Sequence, residues 1–96
     1  MITRINDFKA AAGKESALRE FLGSIIATIR GAPGCLGCEL LVHVDEPGTF
    51  AIVERWESVD AHKAAASRIP PAMMAAFMPL IAEAPKGRYY DQVEVK

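Results

Sequence analysis

Cys35 and Cys38 form the one C-x-x-C of this sequence, inside GAPGCLGCEL, a spacing shared by zinc ligands and redox thiols. If residues 35 to 44 are a strand, a separation of three puts the two side chains on opposite faces and roughly 10 Å apart along it. A disulfide needs Cβ atoms about 3.5 to 4.5 Å apart. A tetrahedral zinc needs both sulfurs about 2.3 Å from one point, plus a second pair of ligands that is missing here. The pair is therefore expected to do no chemistry, with Cys38 packing as a small apolar residue beside Leu36 and Leu40.

Other residues can do more. His62 could serve as a base, since imidazole titrates near neutrality, and Glu54 could do so as a buried carboxyl with a raised pKa. The plainer alternatives are a surface histidine and a solvated or paired glutamate. Asn6 falls between Ile2 and Phe8 on an inward strand face, where an amide must find a partner or cost a few kcal/mol. Neighbouring backbone is the plain candidate for that partner. Trp56 shares a face with Phe50 and Ile52, where a large ring reads as core. Met73, Met74, Phe77 and Met78 precede Leu80 and Ile81 in a methionine-rich segment, which fills a core or lines a pocket for a flat aromatic molecule. Tyr89 and Tyr90 alternate, so at most one reaches a given pocket; Tyr90 is placed with Phe77 and the three methionines in the substrate-binding set. His43 reads as solvent-facing or interfacial.

The elements that must position these residues follow from periodicity. ITRINDFK, residues 2 to 9, alternates as a strand. Leu18, Phe21, Leu22, Ile25, Ile26 and Ile29 make one stripe of an amphipathic helix, stopped by Gly31, Pro33 and Gly34. Residues 35 to 44 and 49 to 57 read as strands joined by Asp45, Glu46, Pro47 and Gly48, hence an antiparallel hairpin. Ser58 is a helix N-cap, Pro70 and Pro71 separate that helix from PAMMAAFMPLIAEA, and Pro79 should kink or break the latter. Residues 87 to 95 supply a last strand. The order β-α-β-β-α-β predicts an α+β fold, a ferredoxin-like βαββαβ sandwich whose antiparallel sheet carries its helices on one face, in a single domain over residues 1–96.

The hairpin is apolar on both faces. Leu36, Cys38, Leu40, Val42 and Val44 lie on one side with Leu41 opposite, and Phe50, Ile52 and Trp56 on one side with Ala51 and Val53 opposite. A second layer must cover the outer face, and a homodimer packed sheet to sheet supplies it most simply. The alternative is a sheet with scattered surface apolar residues.

A formal charge of -1, with Lys and Arg spread singly, gives no stripe for a phosphate backbone, so no nucleic-acid partner is expected. No stretch approaches the roughly 18 apolar residues of a membrane span, and MITRINDFK does not look like a signal peptide. The expected compartment is the cytoplasm, where both cysteines stay reduced. Nucleotide-loop and H-E-x-x-H motifs are absent.

PGCLGCEL, DEPGTF and ERWES resemble the G-x-x-G-x-E-L, D-x-P-x-x-F and E-x-W-x-S phrases of the antibiotic-biosynthesis monooxygenase family of small dimeric αβ-barrel proteins, and FKAAAGKESAL is similar to the family's strand-to-helix opening. The resemblance implies a cofactor-independent monooxygenase that holds a phenolic or quinol-like ring between sheet and helices and lets the deprotonated substrate reduce dioxygen. It also admits a haem-binding or haem-degrading relative, with haem as alternative cofactor, or a non-catalytic small-ligand-binding module. Asn6, Trp56 and His62 become the candidate catalytic residues. Family members commonly read W-x-S-x-x-A-L-x-A-H where this chain reads WESVDAHKAA. His62 thus occupies the leucine position, and Ala65 stands at the usual histidine.

Overall fold

The computed structural model describes residues 1–96. Strand β1 (Ile2–Lys9) leads through Gly13, at a φ of 77°, into helix α1 (Glu15–Arg30). Leu18, Leu22 and Ile26 on α1 are buried, as its apolar stripe requires, and Arg30 closes its end by donating from Nε and Nη2 to the Cys38 carbonyl at 3.1 and 2.9 Å. Strands β2 (Cys35–Val42) and β3 (Thr49–Trp56) form the hairpin. At its turn the exposed His43 accepts at Nδ1 from the backbone N–H groups of Asp45 and Glu46, both at 3.1 Å, and so organises the turn. Ser58 caps helix α2 (Val59–Ala66) by accepting from the Ala61 N–H at 3.1 Å. Helix α3 (Pro71–Phe77) tightens at Pro79 into a 3-10 turn, Met78–Leu80, and strand β4 (Lys86–Asp91) completes the chain's regular structure.

The sheet runs β2-β3-β1-β4 with every neighbour antiparallel. This is the ferredoxin-like order, with α+β layers as predicted. Register places Ile2, Arg4, Asn6 and Phe8 of β1 beside Trp56, Glu54, Ile52 and Phe50 of β3 on the helix-covered face. There the core gathers Phe8, Leu18, Leu22, Ile26, Cys38, Phe50, Ile52 and Phe77. Thr3, Ile5, Leu41, Ala51, Val53, Arg88 and Tyr90 occupy the other face, where Leu41 and Tyr90 are exposed.

Three sequence expectations are corrected. The β2–β3 register shifts between Cys35 and Gly37: Cys35 faces Trp56 and Cys38 faces Glu54, two residues apart on β3. Leu36 is the extra residue of a β-bulge, so the two cysteines share the helix-covered face and Leu36 is exposed. Strand β2 ends at Val42, leaving Val44 95% exposed and without a sheet partner. The last strand stops at Asp91, short of residues 92 to 95.

Candidate functional site

Between the helix-covered face of the sheet and the helices lies a cavity of about 460 Å³. Its floor is the row Arg4, Asn6 and Phe8 with Ile52, Glu54 and Trp56; its walls are Phe21, Ile25 and Ile29 of α1, His62 and Ala65 of α2, and Met73, Met74 and Phe77 of α3. Aromatic packing builds part of the wall. Phe77 meets Phe8 edge to face at 5.8 Å and stacks on Phe21 at 5.5 Å.

The polar groups converge at one end. Trp56 Nε1 donates to Glu54 Oε1 at 2.8 Å, with both residues buried. Burial raises the Glu54 pKa, against the opposing pull of that hydrogen bond and of Arg4. His62 stands edge-on to Trp56 at 5.5 Å, and its Nδ1 lies 2.6 Å from the Tyr89 hydroxyl. Burial, with the nearby Arg4 cation second, lowers the His62 pKa to about 4, so the ring is neutral at pH 7. Arg4 lies over the Tyr89 ring, 5.2 Å from its centroid. Asn6 Oδ1 is buried and has no hydrogen-bond partner in the protein.

Asn6, Trp56 and His62 therefore border one cavity, together with Phe77, Met73 and Met74. Two expected members lie elsewhere. Tyr90 pairs with Thr3 on the outer face, because the β1–β4 register turns Tyr89 and Gly87 inward, and Tyr89 is the tyrosine whose hydroxyl meets His62 behind the cavity lining. Met78 falls in the 3-10 turn after α3, 57% exposed, and does not border the cavity. The sequence reading did not single out Arg4, although its placement between Ile2 and Asn6 already put it on the inward face. No three His, Cys, Asp or Glu side chains are placed to hold a metal ion, and no helix is long and apolar enough to cross a membrane.

The model of the antibiotic biosynthesis monooxygenase family matches residues 1–83. Among solved structures, a Nitrosomonas europaea protein assigned by name to that family superposes with a TM-score of 0.87 at 19% identity, over 98% of this chain and 100% of its own. A Caulobacter crescentus protein, likewise assigned, gives 0.81 at 28% identity over 97% and 90%. A Shewanella oneidensis protein gives 0.81 at 28% identity over 95% and 89%. No curated protein matches the sequence closely enough to count as a relative.

Proposed function

We propose that this chain, which belongs to the antibiotic biosynthesis monooxygenase family, oxidises a small phenolic or quinol-like aromatic molecule with dioxygen and without a cofactor. The unpartnered Asn6 Oδ1 carries this reading. A buried acceptor on the floor of an apolar cavity costs about 1–3 kcal/mol until a donor reaches it, and a ring hydroxyl is such a donor. Trp56, Phe77 and Met73 would clamp the ring against the apolar lining of the half-open cavity. The substrate supplies the electrons. A phenolate carbon bonds to dioxygen, and the resulting hydroperoxide loses water to leave a quinone carbonyl: one oxygen atom is retained, the other leaves as water. The protein's part is to orient the ring and favour its deprotonated form.

The same reading takes the protein as a homodimer joined through the outer sheet face, where Ile5, Leu41, Val53 and Tyr90 supply apolar area that the helices do not cover. Sedimentation at micromolar concentration should give a dimer; a stable monomer would remove that part.

Oxygen uptake with a panel of phenols and naphthoquinols should exceed the uncatalysed rate with no metal, flavin or haem added, and Asn6→Ala should lower it. No uptake across the panel would leave a binding module. Haem binding is the second reading, favoured by His62: a neutral imidazole anchored at Nδ1 is in the form that ligates iron through its other nitrogen. Bound haem would bring its own oxygen-activating iron. A haemin Soret shift abolished by His62→Ala would put that reading first.

A further inference from the structure

Arg4 borders an apolar cavity and makes no ion pair within 4 Å. Its cross-strand neighbour on β3 is Glu54, yet the chain's one ion pair within 4 Å joins Arg55 to Glu39, on the opposite face. Glu54 gives an oxygen to Trp56 instead. The guanidinium turns the other way, over the Tyr89 ring and against Gly87, where a Cβ would stand 2.6 Å from Arg4 Cζ. A glycine at position 87 of β4 leaves the space in which it lies. None of its nitrogens donates a hydrogen bond within the protein, and two positions along the strand Asn6 offers its unpartnered acceptor to the same cavity.

From this arrangement we infer that Arg4 is a specificity-determining residue, and that the ligand of the cavity is an aromatic anion, a ring bearing a carboxylate that pairs with Arg4. The inference rests on the proposed binding of a phenolic ring and narrows its class. A neutral ligand covering Arg4 would strip water from the guanidinium and return nothing, a cost that grows as the site dries. A phenol does not meet the need on arrival, because with a pKa near 10 it is neutral at pH 7; a carboxylate is already charged and matches the guanidinium's paired N–H groups. The exposed Arg68 at the cavity's border adds a second positive charge on the approach.

The test uses two unreactive probes of one shape, 2-naphthoate and 2-naphthamide, titrated calorimetrically into the whole protein at pH 7. The carboxylate should bind about tenfold or more tightly than the amide. Arg4→Gln should erase that gap, and Arg4→Lys should keep part of it. Gly87→Ala displaces the guanidinium without removing it, so it should narrow the gap while leaving the naphthamide affinity as it was; it answers the question even if Arg4→Gln fails to fold. Equal affinities in the native protein, or a gap that survives both Arg4→Gln and Gly87→Ala, would overturn the assignment. Failure of both probes to bind would overturn it along with the pocket reading. Tight naphthoate binding without oxygen uptake would leave Arg4's role standing and remove only turnover.

Discussion

His62 Nδ1 lies 2.6 Å from the Tyr89 hydroxyl, joining α2 to the edge strand β4, while Trp56 holds the same ring edge-on at 5.5 Å. Partial burial of the His62 ring, with the Arg4 cation second, lowers its pKa from 6.5 to about 4.

A depressed basic pKa has a definite stability consequence. Between pH 4 and 6.5 the unfolded chain binds the proton and the folded chain does not, so the contribution of His62 is fully present above pH 6.5 and is lost as pH falls through that window. NMR titration of the His62 ring should give a midpoint well below 6.5. His62→Gln should flatten the pH dependence of the unfolding free energy over pH 4 to 6.5. A normal midpoint near 6.5 would contradict the packing described.

Trp56→Phe keeps a large ring in the core and removes the donor to Glu54 Oε1. Glu54 is 5% exposed, so little solvent reaches the oxygen that loses its donor. Chemical denaturation should show a loss of about 1–3 kcal/mol, the cost of stranding a buried acceptor. A change within about 0.5 kcal/mol would mean that the hydrogen bond contributes little.

Most of the fold was legible because it rests on period and punctuation. The α1 stripe, the Asp45–Gly48 turn, the Ser58 cap and the Pro79 break are each local signals with a mechanism. What went unread depends on one residue's worth of register. The bulge at Leu36 inserts a residue into β2, and counting by twos then assigns Cys35 to the wrong face. Tyr89 and Tyr90 are equivalent by alternation, and only pairing with β1 decides which turns inward. Asn6 could be picked out since an amide between inward apolar residues is anomalous. Arg4 stood in the same row, but a basic residue near a strand's start resembles an ordinary surface charge until Gly87 is seen to make room for it.

Two glycines should respond oppositely to alanine. Gly34 has a φ of 84°, and its Cβ would stand 2.7 Å from the Ala61 Cβ on α2. Gly34→Ala should therefore destabilise by about 1–3 kcal/mol through strain and displacement of α2. Gly23 lies inside α1 with nothing within 4 Å of a Cβ, so Gly23→Ala should stabilise by about 0.5–1 kcal/mol. Thermal unfolding of both variants checks the pair; a stabilised Gly34→Ala would mean that the loop before β2 is free to rearrange.

Cys38 is 3% exposed, and burial, with Glu54 next, pushes its pKa up to about 12. The thiolate is the reactive form, so this thiol is inert at ordinary pH although the bulge sets it on the same face as Cys35. Iodoacetamide at pH 8 should leave Cys38 unmodified in the folded protein and alkylate it on unfolding, as read by peptide mass. Rapid native labelling of Cys38 would show that β2 opens readily.

Glu54 gives the opposite pH signature to His62, and the two can be separated. Its pKa is raised above the usual glutamate value of 4.5, first by burial. Below pH 4.5 the folded and unfolded forms are both protonated and the group is neutral in its effect; as pH climbs from there the unfolded chain ionises first, and stability falls until the folded-state pKa is passed. Glu54→Gln keeps an oxygen for the Trp56 N–H and removes the ionisation. The variant should equal the native protein in stability at pH 4 and exceed it at pH 7, with the divergence beginning near pH 4.5. If catalysis needs the ionised carboxylate as a base, the same variant should lose oxygen uptake as it gains stability, whereas a purely structural Glu54 should leave uptake intact. Equal stabilities throughout the range would mean that water reaches the carboxyl and that the site is wetter than its burial implies.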